Sequence, residues 1–121
     1  MILEGKITTG MGTAKDWVRK IEEVFKQRTN MQVFYGTLNV ELKQDYIVTP
    51  DLIIEAEEYG GTQKVFVKKC KILKDEAYIV RAEKNQIGKG DYNLKTLELV
   101  SNICFRKKYQ IKDGENIKIE I

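Results

Sequence analysis

ILEGKITTGMGTAKDWVRKIEEVFK, residues 2–26, begins as one kind of structure and ends as another. Residues 2–9 read as a strand, and Gly10-Met11-Gly12 interrupts them. Residues 14–28 read as an amphipathic helix. Trp17, Ile21, Val24 and Phe25 fall at i, i+4, i+7 and i+8 and make one apolar face, and Lys20, Glu22, Glu23 and Lys26 cover the other. Thr13 is a plausible N-cap, and Asp16, three residues later, is acidic where the helix dipole favours it.

After this helix, strands dominate. TLNVELK (37–43) alternates strictly, with Leu38, Val40 and Leu42 on one face and Thr37, Asn39 and Glu41 on the other. LIIEAEE (52–58) is a shorter candidate, and Gly60-Gly61 is a turn. KVFVKKCKIL (64–73) follows, its apolar phase broken at Lys68-Lys69, which predicts a bulge. EAYIVRAE (76–83) and TLELV (96–100) are further strands, separated by a polar, glycine-containing loop at 84–93. NICFRKKY suits a short helix or a turn. Asp113-Gly114 then turns the chain into an alternating end at Ile117, Ile119 and Ile121. At least six short strands in a small chain indicate a barrel or sandwich. The preferred fold is mainly β: a barrel with one helix inserted after its first strand.

The 121 residues suit a single domain, 1–121, with 42% hydrophobic residues, one proline (Pro50) and no linker-like or repeated tract. Net charge is +3 with the signs interspersed, which excludes a strongly basic nucleic-acid binder. Two local basic clusters, Lys68-Lys69 with Lys71 and Arg106-Lys107-Lys108, suit either a solvated surface or an anionic ligand. Cys70 and Cys104 leave one disulfide open, although a chain of this size does not need it. The start, MILEGKI, has no secretory pattern, and no run approaches the roughly 20 apolar residues of a membrane span. A reduced, cytoplasmic protein is expected, and a monomer, since no apolar stripe lies beyond the core pattern. The chain contains no histidine. That excludes a Ser-His-Asp triad, a Cys-His pair and His-ligated zinc. Chemistry must rest on carboxylates, hydroxyls, amides, lysines, a hard cation or backbone dipoles.

Three places carry candidate chemistry. Gly10 and Gly12 match neither familiar nucleotide loop: Met11 stands where a P-loop lysine belongs, and Lys15 replaces the third glycine of G-x-G-x-x-G. What remains is Gly10-x-Gly12, Thr13, a helix start and Lys15, which suits either an anion-binding turn or a plain strand-to-helix turn. Thr37 and Asn39 leave one face of their strand, and their side-chain oxygens are hard donors of the kind Mg²⁺ accepts; ordinary polar decoration of a strand would look the same. Glu98 lies between Leu97 and Leu99 and faces away from both, into solvent or into a cleft.

Taken together, EGKITTGMG, YGTLNVEL and LELVSNICFRKKYQIKDGENIKIEI, in this order, resemble the archaeal-type CTP-dependent riboflavin kinases along nearly the whole chain. The resemblance implies a six-stranded cradle-loop (RIFT-like) barrel. It implies Mg²⁺-assisted transfer of the terminal phosphate of CTP to the riboflavin 5′-hydroxyl, giving FMN and CDP; the charge pattern and the lack of a long apolar run add the expectation of no nucleic-acid and no membrane partner. By position, Gly10, Met11, Gly12, Thr13, Ala14 and Lys15 resemble the nucleotide loop. Ile103, Cys104, Phe105 and Arg106 resemble a second nucleotide segment. Thr37 and Asn39 resemble the metal ligands. Glu98 resembles a flavin-contacting carboxylate and is the one candidate for the base. An ungapped match puts Gly90 where the family has a flavin-facing threonine; a shifted register would bring Asp91, Tyr92 or Asn93 there. Other departures are Ala14 in place of a frequent glycine, and Val33-Phe34-Tyr35 and Asn102 where the family often has prolines. Two alternatives stay open: a non-catalytic nucleotide- or flavin-binding barrel, and a kinase with another small acceptor.

Overall fold

The computed structural model describes residues 1–10, 14–34, 36–90 and 93–121, and of residues 14–17 the backbone alone. The elements run β1 (Ile2–Thr8), α1 (Ala14–Thr29), β2 (Leu38–Leu42), β3 (Leu52–Ile54), α2 (Ala56–Tyr59), β4 (Val65–Ile72), β5 (Asp75–Ala82), α3 (Glu83–Gln86), β6 (Thr96–Val100), α4 (Phe105–Tyr109) and β7 (Asn116–Glu120). Strands β4-β5-β6-β2-β1-β7 pair antiparallel in that order, and the pairs Lys71↔Glu120 and Ile72↔Ile119 join β4 to β7. The ring is therefore a closed six-stranded barrel. Strand β3 adds to β4 from outside, through Leu52↔Val67. A mainly β barrel with a helix inserted after the first strand is thus the observed architecture.

Two apolar layers hold it. Leu38, Val40, Leu42, Ile79, Leu97, Leu99 and Ile119 fill the interior. Outside the barrel wall, Val18, Ile21 and Phe25 of α1 lie on Val65, Val67, Val80 and Val100, with Phe25 edge-on to Tyr78 at 5.2 Å. At 16 residues α1 is little longer than the roughly 12–15 below which isolated helices are marginal, and in proteins most helical stability comes from packing of such an apolar face. Each such side chain taken from water contributes roughly 1.5–3 kcal/mol.

The second layer explains several differences from the sequence reading. The helix face is centred on Val18, Ile21 and Phe25, all buried, with Val24 at its margin. Trp17 and Thr13, expected on that face and at the N-cap, have side chains outside the described residues. The bulge expected at Lys68-Lys69 is absent: β4 and β5 pair without interruption from Val65↔Ala82 to Ile72↔Asp75. The apolar phase changes because two faces of one regular strand are covered in turn. Val65 and Val67 meet α1, and Cys70 and Ile72 enter the barrel. The run 52–58 also divides. Strand stops at Ile54, and a Glu55–Glu58 capping box starts the short α2, because each of these glutamates accepts from the other's backbone N–H. The loop at 84–93 begins inside α3 rather than as irregular chain. Both cysteines are free; burial pushes the Cys70 thiol up to about 12. Among the described residues no helix is long and apolar enough to cross a membrane.

Candidate functional site

Register places the sequence candidates in one row. Thr8 pairs with Asn39, Asn39 with Glu98 and Glu98 with Val80, across β1, β2, β6 and β5. Directly opposed residues share a face. Leu38, Val40, Leu97 and Leu99 point into the barrel, so Asn39 and Glu98 lie side by side on its outer wall. The row continues into Val80, beneath α1.

Asn39 is not ordinary strand decoration. It is only 7% exposed, and its Nδ2 donates to Thr37 Oγ1 at 3.3 Å. Its Oδ1 is buried without a hydrogen-bond partner among the described residues. A buried carbonyl oxygen left unpaired costs about 1–3 kcal/mol, so a native structure keeps one chiefly where something else will meet it. Gly10 lies against this amide: a Cβ on Gly10 would stand 2.5 Å from Asn39 Nδ2. Only a glycine brings the end of β1 this close. Among the described residues no three carboxylates or thiols cluster as a metal site. A cation here would therefore depend on neutral oxygens, water and the anionic groups of its own ligand, which is how Mg²⁺ is usually held. The pair Thr37 Oγ1 and Asn39 Oδ1 fits that chemistry.

Glu98 is half-buried, and burial pushes its carboxyl up to about 6 from an ordinary 4.5. Below pH 4.5 both folded and unfolded chains hold the proton. As pH rises further the unfolded chain releases it first, so stability falls, and the loss is complete above about pH 6. The rise amounts to roughly 2 kcal/mol. Glu98→Gln should therefore raise the urea midpoint at pH 7.5, with the gain vanishing toward pH 4.5. A gain independent of pH would contradict this account of the carboxylate.

The second sequence segment, Ile103–Arg106, reaches the end of β1, just before the first. Cys104 sits at the N-cap of α4 and Phe105 anchors the helix in the interior core. This places Arg106 against the end of β1, where its Nη2 donates to the Thr8 carbonyl at 3.1 Å and to Asp113 Oδ1 at 2.6 Å. Gly10 and Arg106 are thus brought to one end of the barrel. Met11, Gly12 and Thr13 lie outside the described residues, as do the side chains of Ala14 and Lys15.

The loop at 84–93 meets the barrel through a residue the sequence reading passed over. Arg81 continues the inward register of Ala77 and Ile79 yet is only 3% exposed. Its guanidinium donates to the Tyr46 carbonyl, to Gln86 Oε1 and to the Leu94 and Thr96 carbonyls. Gln86 in turn pairs with both backbone groups of Val48. An arginine in an apolar register was the available signal. Gly90 presents backbone only: a Cβ there would fall 1.7 Å from Asn85 Oδ1, so the Asn85 carboxamide occupies the space of any side chain at this position. Asp91 and Tyr92 lie outside the described residues; the Asn93 carboxamide is engaged within the loop, accepting from Lys95 N–H and Thr96 Oγ1.

A closed six-stranded β-barrel with α1 inserted after its first strand, in a chain without histidine, is the setting of these residues. The family CTP-dep_RFKase, described as "Domain of unknown function DUF120", matches residues 7–121. The chain belongs to this family of CTP-dependent riboflavin kinases. It is similar to the riboflavin kinase of Methanococcus maripaludis (strain C7), at 26% identity over 130 residues and 100% of each chain. It is also similar to that of Methanococcus vannielii, at 27% over 128 residues, covering 98% of this chain and 96% of the relative. For the riboflavin kinase of Staphylothermus marinus the figures are 24% over 122 residues, 98% and 90%.

Proposed function

We propose that this chain phosphorylates riboflavin, with CTP as donor. The reading is carried by one observation in the setting of that family: the buried Asn39 Oδ1, without a hydrogen-bond partner among the described residues, beside Thr37, with the Gly10 backbone on one side and Glu98 on the other.

In this reading Gly10–Lys15 and Ile103–Arg106 hold the nucleotide. The phosphates meet backbone N–H groups at the start of α1, where the helix dipole favours anions, and Arg106 adds charge. Thr37 and Asn39 would hold Mg²⁺, which when bound would neutralise charge on the phosphates. Riboflavin lies along Glu98 and the 84–93 loop, with Gly90 approaching through its backbone. The 5′-hydroxyl oxygen bonds to the terminal phosphorus as the bond from phosphorus to the CDP oxygen breaks, and CDP leaves with the electron pair. Such transfer needs positioning more than covalent work from the protein. The hydroxyl proton passes to a nearby acceptor. Glu98, ionised for the most part above pH 6, is the carboxylate proposed for that task.

Purified protein with riboflavin and Mg²⁺, given CTP, ATP, GTP or UTP in separate tubes, tests the reading by flavin chromatography. FMN with CTP and little with ATP is expected. Absence of FMN with every donor, from folded protein, would overturn it in favour of a binding barrel or another acceptor.

A further inference from the structure

The strand-to-helix turn and α4 meet at one carboxylate that neither segment contains. Asp113 Oδ2 accepts from Thr9 Oγ1, and Asp113 Oδ1 accepts from Arg106 Nη2 at 2.6 Å. The same Nη2 reaches the Thr8 carbonyl at 3.1 Å. The Asp113-Gly114 turn is pinned to β1 by two backbone bonds, Gly114 N–H to the Ile7 carbonyl at 2.8 Å and Ile7 N–H to the Glu115 carbonyl at 2.9 Å. Thr8 and Thr9 directly precede Gly10, and Arg106 closes the second segment.

We propose that Asp113 is a positioning residue for the nucleotide: its two oxygens fix the exit of β1 and the Arg106 guanidinium in one arrangement, so that both segments meet the phosphates already aligned. The inference rests on the assignment of those segments to the nucleotide. An exposed ion pair of this kind contributes little to folding. Its worth lies in geometry. A guanidinium carries five N–H donors in a rigid fork, and the bonds to Thr8 and Asp113 use one nitrogen, so they orient the fork without consuming it.

The sign of the effect separates positioning from simple charge. A carboxylate near bound phosphates repels them, so on charge alone its removal would tighten nucleotide binding. Positioning predicts the reverse. Asp113→Ala releases Thr9 Oγ1 and leaves Arg106 Nη2 with the Thr8 carbonyl, whereas Asp113→Asn keeps one acceptor oxygen and turns its amide NH₂ on one of those donors. A structural control exists in β5, bonded to the same helix. Asp75 accepts from Lys108 Nζ at 2.8 Å and from the Tyr109 hydroxyl, and so ties down the far end of α4 without touching β1.

The test is calorimetric titration of Mg²⁺·CTP into the full chain, for wild type, Asp113→Ala, Asp113→Asn and Asp75→Asn, with thermal melts alongside. CTP affinity is expected to fall about tenfold in Asp113→Ala and by less in Asp113→Asn, the loss of charge-assisted hydrogen bonds outweighing the relief of repulsion. Asp75→Asn is expected to bind as wild type, and the riboflavin KM of the Asp113 variants to stay unchanged. Unchanged or tighter CTP binding in both Asp113 variants would overturn the proposal, and so would an equal loss in Asp75→Asn. A wild type that binds CTP yet yields no FMN refutes the kinase reading while these affinities still decide the role of Asp113. A wild type that binds no nucleotide overturns both.

Discussion

Thr37→Val combined with Asn39→Leu is expected to lower metal-dependent FMN formation by at least about a thousandfold, since a bound cation supplies several kcal/mol and each 1.36 kcal/mol is tenfold in rate. The fold should survive. Asn39 Nδ2 bonds to Thr37 Oγ1, so the paired change removes donor and acceptor together, and such replacement by apolar groups of similar shape is close to neutral. Asn39 Oδ1 has no hydrogen bond to lose among the described residues. The expected signature is therefore a melting temperature within a few degrees of wild type with turnover gone. Full activity in the double variant would refute the metal assignment.

Arg81→Met is expected to act in the opposite way, on stability first. Methionine can fill the space of the stem, but it abandons two loop carbonyls, the Thr96 carbonyl and Gln86 Oε1 at once. Each buried acceptor left unpaired costs about 1–3 kcal/mol. Burial disfavours the charged guanidinium, as the lowering of its pKa records, so losing the charge returns part of that cost. A net loss of about 3 kcal/mol remains, equivalent to roughly 10 °C in Tm for a chain of this length. Arg81→Lys should recover only part of it, because an ammonium on a flexible stem cannot span both loops as a planar fork does. Thermal melts of the two variants check the claim; a shift under about 2 °C in Arg81→Met would contradict it.

Most of the fold was legible because its strands alternate. Leu38, Val40 and Leu42 lie inside as their spacing requires, and α1 ends one residue from its expected limit, at Thr29. What misled was a second covered face. Lys68 and Lys69 break the alternation of a strand with one buried side, yet β4 has two, since α1 lies on its outer wall at Val65 and Val67. The same layer makes Val18 a core residue. Of the candidate site, the partnership of Thr37 with Asn39 and the facing of Glu98 followed from strand period. Burial did not: a carboxamide on a solvated strand and one buried against Gly10, its oxygen without a partner among the described residues, have the same sequence. Asp113 was legible only as a turn residue, because Thr9 lies 104 residues away and the reach of Arg106, seven residues before it, is set by how α4 packs. Gly90 read as a missing hydroxyl. In space a side chain there would have to displace the Asn85 carboxamide.

The most direct test of the account follows the phosphate itself. Protein in excess over riboflavin, with Mg²⁺ and CTP radiolabelled in its terminal phosphate, is quenched after one turnover and the flavins are separated. The account predicts label in FMN, lost when the metal is chelated and lost in the Thr37→Val/Asn39→Leu variant. FMN without label, or labelled FMN that forms equally well without metal or with that variant, would contradict it.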